Sequence, residues 1–179
     1  MIDVRALAHA YYSSPVGVLL LEWDGEAVVR LAFPGRDGSP RAAGPGSIHD
    51  AAAVREPLGR LKAYFAGELR EFGLPLRPEG TEFQRQVWRA LTEIPYGATI
   101  SYAELARWIG RPTAARAVGA ANGRNPIAII VPCHRVIGAN GSLTGFGGGL
   151  DRKEWLLTHE RERTGVGGTV RDMAVTAEI

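Results

Sequence analysis

Ser101-Tyr102-Ala103-Glu104-Leu105-Ala106-Arg107-Trp108-Ile109, the break Gly110-Arg111-Pro112, and Thr113-Ala114-Ala115-Arg116-Ala117-Val118-Gly119-Ala120 form the stretch on which the fold turns. Ser101 and Glu104 have the spacing of a capping box, in which each side chain satisfies a backbone N–H at the other's position, so a helix opens there and runs to about Ile109. Gly110 and Pro112 break it, and Thr113 stands where it can cap a second helix. Two short helices about a three-residue, glycine-containing break have the dimensions of a helix-turn-helix. The second helix is made of small side chains, with Arg116 its one long polar group. Such a helix can lie close in a nucleic-acid groove or pack tightly inside a core, and spacing alone supports the two equally.

Moving upstream, Thr81-Glu82-Phe83-Gln84 is a further capping box, opening a helix that aligns Phe83, Val87, Leu91 and Ile94 before Pro95-Tyr96-Gly97 ends it. Downstream, Ile127-Ala128-Ile129-Ile130-Val131 is an apolar, largely β-branched run expected to form a buried strand or strand-like segment, closed by Pro132. Asp151 can cap a last helix carrying Trp155, Leu156 and Leu157, and from Arg161 onward the sequence reads as a loosely held tail.

The first half has a different rhythm. Residues 7–12 and 17–23 read as strands, and Asp24-Gly25 is a hairpin signal leading into a third strand over 28–33. Residues 34–47 are dense in Gly, Pro and Arg and form a long loop. A helix follows from an Asp50 cap, with Val54, Leu58, Leu61 and Phe65 at helical spacing and Gly67 as its stop. Gly73, Pro75 and Pro78 break the stretch 72–80 into a linker. The expected fold class is α+β: a small strand–helix domain over 1–76, a linker over 77–80, a mostly helical domain with the helix-turn-helix over 81–163, and a flexible tail over 164–179.

Composition narrows the function classes. With 45% hydrophobic residues in 179, a core forms without staples. The single cysteine excludes an internal disulfide and a Cys-rich zinc site, and a free thiol suits the cytoplasm. No apolar run is long enough to cross a bilayer, and Met1-Ile2-Asp3-Val4-Arg5 lacks the layout of a signal peptide, so no membrane partner is expected. Residues 1–80 carry nine Lys/Arg against ten Asp/Glu, whereas 81–160 carry nine against six. Between Ile94 and Leu150 the only acid is Glu104, while Arg107, Arg111, Arg116, Arg124 and Arg135 all fall there, an excess that fits a phosphate-facing surface or a solvated basic face.

Cys133-His134-Arg135-Val136 follows directly on Pro132. Only the thiolate is a strong nucleophile, and neighbouring positive charge favours it. Taken by itself, a lone Cys beside a hydrophobic run reads as an inert core residue. The pattern goes further: Asn125-Pro126 precedes the run, Gly145-Phe146-Gly147-Gly148-Gly149-Leu150 follows it, and Lys153-Glu154-Trp155-Leu156-Leu157 leads to His159-Glu160. From Phe83 to Glu160 the chain resembles the O6-alkylguanine-DNA alkyltransferases, which share Ser101-Tyr102, the Arg116 helix and the Pro-Cys-His-Arg core. The first 80 residues resemble that family's variable, RNase H-like N-terminal domain only in length and element order.

The resemblance implies single-turnover repair, in which an alkyl group passes from O6 of guanine, or O4 of thymine, in double-stranded DNA to Cys133. His134 and Glu160, with a water, would draw off the thiol proton, and Tyr102 would donate toward N3 of the leaving base. The carbonyls of Cys133 and Val136 would hold the exocyclic amine and the Gly147 N–H would address O6, with Phe146, Gly148, Asn125 and Ala128 completing the pocket. Phe146 stands where many relatives have Tyr. Arg116 would enter the base stack from a helix whose Ala115, Ala117 and Gly119 face the minor groove, and Ser101 and Tyr102 would also meet DNA. No cofactor and no metal are implied, because the zinc held by some relatives needs cysteines this chain lacks. The expected species is a monomer, with cooperative association on DNA left open. Cys133 opposes a binding-only relative, and the adjacency of His134 opposes a cysteine hydrolase, whose His is distant in sequence.

Overall fold

The computed structural model describes residues 7–164 and 168–169. Its elements are β1 (Ala8–Ser14), β2 (Gly17–Trp23), β3 (Val28–Ala32), β4 (Ile48–His49), α1 (Arg55–Ala66), α2 (Glu82–Thr92), β5 (Ala98–Ser101), α3 (Tyr102–Trp108), α4 (Ala115–Gly123), β6 (Val136–Ile137), α5 (Leu150–Thr164) and β7 (Gly168–Thr169), with a 3-10 turn at Cys133–Arg135. The chain divides into two compact units: residues up to Glu79 together with Pro126–Ala128, and Gly80–Asn125 together with the chain from Ile129 onward.

The first unit is a four-stranded sheet of order β3-β2-β1-β4. The antiparallel β1–β2 pair runs from Ala8↔Trp23 to Ser14↔Gly17, and β2–β3 shifts register between Glu22 and Trp23. Asp24 shapes the turn after β2, its Oδ1 accepting the N–H groups of Glu26 and Ala27 at 3.0 and 2.9 Å. Leu19, Leu20 and Leu21 are fully buried in sequence, so the middle strand is covered on both faces, each leucine contributing about 2 kcal/mol of transfer free energy. Leu61, Tyr64 and Phe65 of α1 join this core, and Tyr64 packs on the Phe72 ring at 5.3 Å. Gly67 ends α1 in the left-handed conformation at φ 79°, as expected of a C′ glycine.

Several sequence expectations are corrected here. Asp50 caps a preliminary turn, accepting from the N–H groups of Ala52 and Ala53 at 3.0 Å, and α1 proper begins at Arg55. Within the 72–80 stretch, read as a linker, the backbone joins the sheet edge: Val28 N–H donates to Pro75 O, and Arg77 N–H to Val28 O, both at 2.9 Å. Extended backbone broken by prolines can still offer its remaining groups to a sheet edge. Residues 127–131 are buried but form no continuous strand. Ala128 N–H donates to Leu31 O at 2.9 Å, making an isolated bridge, after which Ile129 turns the chain at φ 69°. Apolar runs report burial, not regular pairing.

In the second unit, both capping boxes form as read, at Thr81–Gln84 and Ser101–Glu104. Val87, Trp88 and Leu91 bury one face of α2, and Trp88 Nε1 donates to Ala121 O of α4 at 2.9 Å. Ile94 is buried beyond the end of α2. Thr113 does not cap α4: its N-cap is Ala114, at φ −93° and ψ 20°, without a side-chain bond. A capping side chain needs an extended backbone at that position, and the chain is already turning there. The last helix begins at Leu150 and continues past Arg161 to Thr164. The remainder of the expected tail lies outside the described residues except for Gly168–Thr169, which pairs with β5. No helix among the described residues is long and apolar enough to cross a membrane.

Candidate active site and DNA-facing helix

Proline geometry sets the position of Cys133. Pro132, at φ −82° and ψ 63°, forms an inverse γ-turn that brings Cys133 N–H 2.8 Å from Val131 O. Asn125 Nδ2 donates to the same Val131 carbonyl at 2.8 Å, tying the end of α4 to the cysteine turn. Cys133 is 5% exposed. Burial pushes its thiol up, against the Asn125 amide, the charge of Lys153 and local backbone N–H groups, which favour the thiolate.

Behind the thiol lies a buried charge network. His134 Nε2 is 2.8 Å from Glu160 Oε1, with both side chains fully buried. Arg135 clamps the same carboxylate, Nε donating to Oε2 at 2.9 Å and Nη2 to Oε1 at 3.0 Å, while Gly97 N–H donates to Oε2 at 3.0 Å. Burial alone would raise the Glu160 carboxyl, but His134 and Arg135 outweigh it and hold it well below the ordinary range. Burial lowers His134, with Glu160 opposing. The carboxylate therefore fixes the tautomer with hydrogen on Nε2, so Nδ1, buried without a protein hydrogen-bond partner, carries a lone pair. Arg135 is thus a structural counter-ion and leaves the basic surface that its place in the sequence implied.

Tyr102 opens α3 and donates to Thr144 O at 3.0 Å. Burial raises its phenol and charge on Cys133 adds to this, with hydrogen bonding to Thr144 and Asn122 opposing. Lys153, fully buried, donates to Val136 O at 2.5 Å and to the same Thr144 O at 2.9 Å. Its ammonium lies 5.7 Å from the Phe146 ring centroid, and burial brings its pKa down to about 8. Gly148 is buried with its carbonyl accepting from Arg152 at 2.6 Å, while Gly147 is exposed. The glycine-rich loop is therefore pinned by two basic side chains from the first turn of α5.

One face of the small-residue helix packs into the core and the opposite face is open to solvent. Val118, Ala121 and Asn122 are buried, and Gly119 lies against the Tyr102 ring, where an added Cβ would sit at 3.7 Å. Arg116, Ala117 and Ala120 are exposed, and Ala115 is half-buried. Ser101 is occupied in its capping box, and Ala128 belongs to the strand-rich unit. Cys133, His134, Glu160, Tyr102, Val136 and Phe146 are brought together through these shared partners. Sequence reading passed over Lys153, Asn122 and the Arg135 clamp. Their legible signal was position: Lys153 and Glu160 fall on the same helical stripe as Leu156 and Leu157, and Asn122 on that of Val118.

Comparisons with known proteins agree over nearly the whole chain. Residues 82–162 match the DNA-binding domain of 6-O-methylguanine DNA methyltransferase, and residues 7–78 match its ribonuclease-like domain. A methylated-DNA–protein-cysteine methyltransferase of Methanosarcina acetivorans is 54% identical over 153 residues, 85% of this chain and 97% of that protein. Among solved structures, a variant of the Mycobacterium tuberculosis O6-methylguanine methyltransferase superposes with a TM-score of 0.79 at 49% identity, covering 88% of this chain and 94% of that one. The M. tuberculosis protein in complex with DNA gives 0.74 at 49% identity, covering 87% and 94%. The α+β class, the ribonuclease-like first domain and the DNA-binding second domain are thereby borne out, and the chain belongs to the 6-O-methylguanine DNA methyltransferase family.

Proposed function

We propose that this protein repairs DNA by direct reversal, moving the alkyl group of an O6-alkylguanine onto Cys133 once per molecule. The observation that carries the reading is the buried Glu160–His134 pair at 2.8 Å, which leaves His134 Nδ1 as a proton acceptor one residue from the thiol. A water between Nδ1 and Sγ passes the thiol proton to the imidazole. The sulfur attacks the alkyl carbon as the carbon–O6 bond breaks, and the electrons of that bond leave with guanine. Tyr102 donates its phenolic proton to N3 of the departing base, and the proton held by His134 restores neutrality. The thioether formed is not hydrolysed, and the chain has no second thiol to exchange it.

The alkylated base is reached by flipping it from the duplex, at a cost of a few kcal/mol. Arg116 fills the vacated stack, and the exposed alanines of α4 let the backbone approach the minor groove, whose readout is degenerate enough for lesions in any sequence. The protein acts as a monomer in the cytoplasm, where its thiol stays reduced. Intact mass after mixing with a duplex containing O6-methylguanine tests this. One added methyl on Cys133, absent in Cys133→Ala, is expected. Tight lesion binding at unchanged mass would leave the protein as a binder only.

A further inference from the structure

Asn122 sits in the last turn of α4 and is 1% exposed. Its Nδ2 donates to the Cys133 carbonyl oxygen at 3.3 Å, and its Oδ1 is buried with no hydrogen-bond partner. The same side chain also acts to lower the Tyr102 phenol, so one amide bonds the nucleophile's backbone and neighbours the proposed proton donor. Buried acceptors are rarely left unsatisfied, and an apolar side chain beside Val118 and Ala121 would avoid the penalty altogether. The orphaned oxygen therefore points to a donor that arrives with the substrate.

The inference rests on the repair reading above. Along the edges of an O6-alkylguanine, N1, N3, N7 and O6 are all acceptors, and the 2-amino group is the only N–H donor of the base. Of the two carbonyls assigned to that amine, Val136 O already accepts from Lys153 at 2.5 Å and Cys133 O from Asn122. We propose that Asn122 is a guanine-binding residue: its Oδ1 accepts from the 2-amino group, while its Nδ2 keeps the Cys133 carbonyl aligned beside the same amine. The site is thereby selective for purines bearing a 2-amino group, because an analogue without one leaves Oδ1 buried and unpaired.

Single-turnover methyl transfer from two duplexes tests the assignment, one carrying O6-methylguanine and the other O6-methylhypoxanthine, the same base without the amine. The wild type is expected to favour guanine by at least about tenfold. Asn122→Leu, close in volume but without the amide, is expected to lose that preference, slowing transfer from guanine at least about tenfold more than transfer from hypoxanthine. Equal slowing on both duplexes, or none on either, would overturn the assignment. Should Asn122→Leu fail to fold, Asn122→Ala is read against the same outcomes. Wild-type transfer is the internal reference: its absence on both duplexes sinks the repair reading and this assignment together, whereas unequal transfer lost equally in the variant sinks only the assignment.

Discussion

Glu160 accepts hydrogen bonds from both His134 and Arg135 in a fully buried pocket, so a single carboxylate orients the imidazole and is neutralised by the neighbouring guanidinium. Removing the carboxylate leaves the Arg135 charge buried without a counter-ion, its remaining hydrogen bond going to the neutral Ile94 carbonyl. Glu160→Gln is expected to destabilise the fold by about 3–5 kcal/mol and to abolish methyl transfer at neutral pH. Chemical denaturation, with transfer measured on the folded fraction, checks both. A variant as stable as the wild type would show that the clamp is not a structural anchor.

The same network makes stability fall in acid. His134 is lowered from its ordinary 6.5 and Glu160 from its ordinary 4.5, so in each case the unfolded chain binds protons that the folded chain refuses. Their contributions are fully present above those ordinary values and are lost as pH falls below 6.5 and then below 4.5. Denaturation midpoints at pH 7, 5.5 and 4 are expected to drop in that order. His134→Phe would remove the first step and shrink the second, because His134 is the larger of the two partners that hold Glu160 down.

Lys153 acts with the same sign in an alkaline window. Its pKa is brought from 10.5 to about 8, so between those values the unfolded chain again holds more protons, and stability contributed by this group rises with pH. Lys153→Met is expected to flatten stability across that interval. It also frees the Thr144 and Val136 carbonyls and loosens the loop that Tyr102 shares. Faster hydrogen exchange around 144–148 in the variant would register that loosening, and unchanged exchange would argue against the clamp.

Arg116 is exposed on α4 and takes no part in the buried network. Arg116→Ala is expected to slow repair of duplex DNA by one to two orders of magnitude, roughly the few kcal/mol that extruding a base demands, while reaction with free O6-benzylguanine stays near wild type. Equal slowing on the two substrates would remove its flipping role.

Gly119 tests how closely α4 must approach Tyr102. An added Cβ would meet the ring at 3.7 Å, an ordinary contact, so Gly119→Ala is expected to gain about 0.5–1 kcal/mol from helix propensity with repair retained. Gly119→Leu would push the ring away and slow transfer. Thermal melting and single-turnover rates of the pair decide it.

The helices of the second unit were legible because their signals are local: two capping boxes, a glycine break and apolar spacing each depend on neighbours within a turn or two. Cys133 and its motif partners were legible as residue types in order. The 127–131 run showed that burial can be read while pairing cannot, since the bridge to Leu31 and the left-handed Ile129 depend on a strand almost a hundred residues away. Only the tertiary structure decided which charges are paired. In sequence Arg135 belongs to a basic stretch and Lys153 to a surface-like helix, yet both are buried, one by a carboxylate 25 residues on and the other by two carbonyls. Asn122 likewise gained its meaning from the cysteine carbonyl it meets. Local propensity writes the elements into the chain, but the free energy of a buried charge or amide is set by whatever long-range partner the fold brings within hydrogen-bond reach.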